Sequence, residues 1–187
     1  MRVKLAFVLG LIILLTGCDH SGESINDALS LRNKLLASNG CQFSAVITAD
    51  YGDEIYQFSM DCATDKEGNL SFTVIEPSSI SGIKGNITEK GGNLTFDDRI
   101  LAFQTMADGR VTPVTAPWLL VKTLRSGYIN ASTKSDSGYT AIIDDSYHEN
   151  ALKLQVAIDT DNLPDFAEIF CQGHRILTID VKDFTIM

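Results

Sequence analysis

Most of this chain consists of short runs that alternate apolar and polar residues, with turn residues closely spaced between them. Alternation at period two marks a strand with one buried face. Parallel neighbours need crossovers of a dozen or more residues, and the gaps here are shorter, so the sheet is expected to be antiparallel. Residues 41–62 read CQFSAVITADYGDEIYQFSMDC. With Tyr51-Gly52 as a two-residue turn, Phe43 faces Met60, Ala45 faces Phe58 and Ile47 faces Tyr56, all on one side. The other side carries Gln42, Ser44, Thr48, Gln57, Ser59 and Asp61, with Val46 and Ile55 as apolar exceptions.

Further strand-like runs follow. Leu70, Phe72 and Val74 alternate with Ser71 and Thr73; Ile83 and Ile87 flank Gly85; Leu94 and Phe96 alternate with Asn93 and Thr95. Lys66-Glu67-Gly68, Ser81-Gly82 and Gly91-Gly92 supply the turns. After residue 127 strands resume at 139–143, 152–158, 166–171 and 176–186. Two stretches have helical spacing instead. Ser24, with Asp27 three residues on, starts the first. Its stripe is Ile25, Ala28, Leu29, Leu31, Leu35 and Leu36, and Asn39-Gly40 ends it. Thr115-Ala116-Pro117-Trp118 starts the second, with Pro117 in its first turn. Leu119, Leu120, Val121 and Leu124 extend its apolar face to Gly127. The fold class is therefore α+β: an antiparallel sheet whose apolar face is covered by two helices.

Residues 1–18, MRVKLAFVLGLIILLTGC, have the layout of an export leader: Arg2 and Lys4, then an apolar run. That run is shorter than the roughly 20 residues a spanning helix needs. Leu15-Thr16-Gly17-Cys18 matches a lipobox, in which signal peptidase cuts before a cysteine that carries diacylglycerol. The expected organisation is a signal peptide over 1–17, the lipidated Cys18 and a tether over 18–23, and one domain over 24–187. Cys18 would hold the protein on the extracytoplasmic side of a cell membrane.

The formal net charge is −9 before the leader's two cations are removed. So acidic a domain does not favour nucleic acid. With Cys18 committed to lipid, Cys41, Cys62 and Cys171 remain, enough for one bridge. The hairpin register places Cys41 opposite Cys62 and favours a disulfide between them. A bridge from either to Cys171, or a pair of buried thiols, is the alternative.

The order of elements resembles the half-barrel proteins that include the lipoprotein carriers LolA and LolB and the mycobacterial lipoproteins LppX and LprG. The stretches that carry it are Gly68-Asn69-Leu70-Ser71-Phe72-Thr73-Val74, Pro77, Ile80-Ser81-Gly82-Ile83 and Gly92-Asn93-Leu94-Thr95-Phe96. The ending is similar too: Leu163-Pro164, Ala167-Glu168-Ile169, Gly173, and Ile179 through Asp183-Phe184-Thr185-Ile186. The resemblance implies a strongly curved antiparallel sheet, a half-open barrel with helices on its concave face, and an apolar cavity for acyl chains. Phe43, Ile47, Tyr56, Phe58, Met60, Phe72, Val74, Trp118 and Leu119 are the cavity candidates, and an ordinary packed core would use the same residues. Germination-type lipoproteins of spore formers look similar, which gives a second expectation: a non-catalytic scaffold for an envelope protein such as a cell-wall hydrolase.

No catalytic, metal or cofactor motif stands out. His20, His148 and His174 are scattered. Asp144-Asp145-Ser146-Tyr147-His148 reads as a turn, since closeness along the chain does not make a triad. Asp159-Thr160-Asp161 lacks the ligand run of a calcium loop.

Overall fold

The computed structural model describes residues 20–187 except 51, 53, 97, 98, 104, 105, 108 and 109. The leader and Cys18 lie outside the described residues. The strands are β1 (Cys41–Asp50), β2 (Ile55–Thr64), β3 (Leu70–Glu76), β4 (Lys84–Thr88), β5 (Gly91–Phe96), β6 (Arg99–Phe103), β7 (Met106–Ala107), β8 (Arg110–Val111), β9 (Tyr128–Ser135), β10 (Gly138–Asp144), β11 (Leu152–Ile158), β12 (Pro164–Cys171) and β13 (His174–Ile186). The helices are α1 (His20–Ala37) and α2 (Ala116–Ser126).

Among the described residues, eleven strands form one sheet in the order β6-β5-β4-β3-β2-β1-β13-β12-β11-β10-β9, and β7 pairs with β8 separately. Neighbouring strands are antiparallel throughout. The first and last strands meet in the middle, Cys41 against Ile186 and Ile47 against Ile179. β6 and β9 do not pair, so the barrel stays open, as the half-barrel expectation required.

The core lies on one face of this sheet. Phe43, Ala45, Ile47, Met60, Phe72, Ile143, Leu154, Val156, Ile169 and Ile179 all point to it and are buried. α2 is apolar on nearly every side, and Ala116 through Val121, Thr123 and Leu124 are buried. A helix of that kind has to be surrounded. α1 buries a narrower stripe, Ala28, Leu31 and Leu35, while Leu29 and Leu36 stay exposed. The helices also cap each other. Arg32 of α1 donates to Leu124 O at 2.9 Å, in the last turn of α2, and to Gly127 O at 2.7 Å, just past its end. Arg125 of α2 donates in return to Leu35 O at 2.9 Å, and to Lys66 O at 2.7 Å in the turn after β2.

Three expectations are corrected. α1 begins at His20, so Ser24 lies buried within the helix and does not start it. The β1–β2 hairpin is slipped by two residues. Phe43 faces Cys62, Ala45 faces Met60, Ile47 faces Phe58 and Ala49 faces Tyr56. The loop between Asp50 and Ile55 is longer than two residues, and the Asp50 carboxylate holds it by accepting the Gly52 N–H at 2.8 Å. A slip of two keeps every side chain on its face, which is why the alternation could not reveal it. The third correction follows from the second. Cys41 and Cys62 are now diagonal neighbours, about 7–8 Å apart for such a pair against about 4.4–6.8 Å between Cα atoms in a disulfide. Both are free thiols. Thr64 takes the place opposite Cys41, its hydroxyl accepting the Cys41 N–H at 2.9 Å.

Candidate functional site

Of the nine cavity candidates, Phe43, Ile47, Met60, Phe72, Val74, Trp118 and Leu119 are buried in a single continuous core. Phe43 stacks on Phe184 with ring centroids 5.2 Å apart. Phe58 is half-buried against the core, and Tyr56 is 51% exposed, its hydroxyl donating to the Glu54 carboxylate. The structure thus gathers seven of the nine as packing. Only Trp118 among them also lines the space that opens between helices and sheet.

That space is a cleft of about 670 Å³. Leu36 of α1 lines it together with Trp118, Lys122, Arg125 and Ser126 of α2, Glu67-Gly68-Asn69 of the β2–β3 turn, and Thr88-Glu89-Lys90 of the β4–β5 turn. Its size is that of a small-ligand pocket. Its apolar wall is the half-exposed Leu36 together with Trp118. Residues 118, 122 and 125 are spaced four and three apart, so they share one face of α2. Lys122 Nζ sits 5.1 Å from the Trp118 ring centroid, within cation–π range. It also lies 4.0 Å from Glu89 Oε1; the Lys122 side chain is 32% exposed and that of Glu89 84%. Gly68 makes room for the Arg125 guanidinium: a Cβ there would stand 3.3 Å from Arg125 Nε, and its φ of +87° suits glycine.

Sequence reasoning found Trp118 and missed Leu36, Gly68, Lys90, Lys122 and Arg125. The helical spacing of Trp118, Lys122 and Arg125 was the available signal. Nothing local in the sequence brings the two turns to that helix.

No family model and no curated protein matches the sequence. Solved structures do. A LolA superfamily protein from Nitrosomonas europaea is 10% identical, over 86% of this chain and 93% of that one, with a TM-score of 0.47. A putative outer membrane lipoprotein-sorting protein domain from Vibrio parahaemolyticus is 7% identical, over 87% and 91%, with a TM-score of 0.49. The Mycobacterium tuberculosis lipoprotein LppX is 13% identical, over 87% and 93%, with a TM-score of 0.43.

The polar clusters singled out in the sequence are turns. Asp145 accepts the Leu152 N–H at 2.8 Å, and the Ala151 N–H donates to His148 O at 2.9 Å. The Asp159 carboxylate accepts the Asp161 and Leu163 N–H groups, both at 2.9 Å. Among the described residues, no group of three or more His, Cys, Asp or Glu side chains could hold a metal, and no helix is long and apolar enough to cross a membrane.

Proposed function

We propose that this chain is an exported lipoprotein, anchored through lipid on Cys18, that binds a lipid or other hydrophobic ligand without catalysis. The observation that carries the reading is the cleft of about 670 Å³ between α2 and the β2–β3 and β4–β5 turns, with Trp118 and Leu36 on its wall. The deeper candidates fill the core and shape the floor from which α2 presents Trp118. Binding at the cleft needs no rearrangement of that core. The leader and lipobox support an extracytoplasmic site of action.

Trp118 is the only tryptophan in the chain, so its fluorescence reports on the cleft directly. Titration with a long-chain amphiphile should shift its emission saturably, and native mass spectrometry after mild purification should find a copurified lipid. An unchanged emission together with a ligand-free mass would reject the reading.

A further inference from the structure

The charges around the cleft are sorted by depth. Lys122 and Arg125 are half-buried, whereas Glu67, Glu89 and Lys90 are exposed at the rim. The Arg125 guanidinium is fixed by two backbone carbonyls, Leu35 O and Lys66 O. A guanidinium has five N–H donors, and among the described residues no carboxylate forms an ion pair with it. Lys122 lies over the Trp118 ring and meets Glu89 only at 4.0 Å, through a carboxylate that is itself mostly in solvent. Two cations are therefore held on one helical face beside an apolar wall, in a protein of net charge −9. Partly burying a cation is unfavourable without a counter-charge, and the acidic groups nearby stay in water.

We infer that the ligand of this cleft is an amphiphile with an anionic group, a carboxylate or a phosphate, which sits on Lys122 and Arg125 while its chain lies along Leu36 and Trp118. This rests on the proposed function and deepens it. Arg125 supplies the fixed donor and Lys122 the adaptable one. Lys90 at the rim adds longer-range attraction. Binding displaces the exposed Glu89 carboxylate from Lys122, and Lys122 keeps its place over the indole.

The test is a set of Trp118 fluorescence titrations on the full chain, with palmitate, hexadecyl phosphate, hexadecanol and inorganic phosphate. Palmitate and hexadecyl phosphate should bind at least about tenfold more tightly than hexadecanol, since charge-assisted hydrogen bonds are the stronger kind. Added salt should narrow the difference. Lys122→Gln should lower palmitate affinity about tenfold, and Lys122→Arg should restore it. Equal affinity for palmitate and hexadecanol would overturn the anionic preference and leave the hydrophobic-ligand reading standing. Binding of inorganic phosphate as tightly as hexadecyl phosphate would overturn the amphiphile. If none of the four binds, both readings fall together.

Discussion

Cys41 and Cys62 show how much one residue's chemistry depends on register. Opposite one another they would be a structural disulfide; offset by one diagonal they are two buried thiols. Burial pushes the Cys41 thiol above its ordinary pKa, opposed by the Thr64 hydroxyl and the charge of Arg125. Burial pushes Cys62 further up, helped by the nearby Asp61 carboxylate. The thiolate is the reactive form, so both should be inert at neutral pH. Cys171 is only half-buried. In the native protein a small alkylating reagent should modify Cys171 first, and Cys41 and Cys62 only after denaturation. Peptide mass mapping reads the order, and a Cys41–Cys62 disulfide peptide from unreduced protein would contradict it. The sequence carried the faces of both strands because side-chain alternation encodes them. It did not carry the register, because the Asp50 side chain, by taking the Gly52 N–H, supports a loop that alternation does not mark.

The same contrast runs through the larger elements. β10, β11, β12 and β13 were legible within a residue or two because β10 and β11 bury alternate residues without a break, as in Leu152, Leu154, Val156 and Ile158, and β12 and β13 do so over their middle parts. The edge strands were not legible. β6 reads Arg-Ile-Leu-Ala-Phe, with Ile100 73% and Leu101 65% exposed on opposite faces, so neither face is selected by burial. β9 mixes Tyr128, Ile129, Asn130 and Ala131 without a period. The helices were recognisable by their stripes, but the way they are fastened was not. Arg32 satisfies one carbonyl in the last turn of α2 and one just past it from a partly buried position, and burial lowers its pKa from the ordinary value. Arg32→Met should remove both charge-assisted bonds and leave Leu124 O and Gly127 O poorly satisfied, at a cost of about 2–4 kcal/mol. Arg32→Lys should recover only part of that, because an ammonium cannot reproduce the fork. Urea denaturation midpoints with unchanged m-values would measure both. A midpoint for Arg32→Met equal to that of the parent would show that the two helices are held by apolar packing alone.

At the scale of the whole molecule, the proposed anchor stands close in sequence to the first helix. α1 begins at His20, two positions after Cys18, and continues without interruption to Ala37. Around Asp27, Asn162 Nδ2 donates to the Asp27 carbonyl at 3.3 Å and Tyr139 Oη donates to Asn162 Oδ1 at 2.6 Å, which ties this part of the helix to the β11–β12 turn and β10. A lipid on Cys18 would thus be attached to a helix that the sheet holds in place, so the orientation of the domain at a membrane would be set by α1. The cleft lies by the other end of α1, where Leu36 and the Arg125–Leu35 bond are found. In the proposed reading, a ligand there would bind at the end of α1 remote from its first residue, His20. The anchor itself is testable by arithmetic. One acyl chain holds a protein only marginally, and two hold it stably. Diacylglycerol on Cys18 should therefore keep the chain in the membrane fraction through high-salt washing, which an electrostatic association of so acidic a protein would not survive. Cys18→Ser cannot form the thioether. It should either retain the leader, with a mass larger by residues 1–17, or appear in the soluble fraction with its Trp118 titration unchanged. Mature-sized Cys18→Ser protein that stayed in the washed membrane pellet would show that the domain, and not lipid on Cys18, makes the attachment.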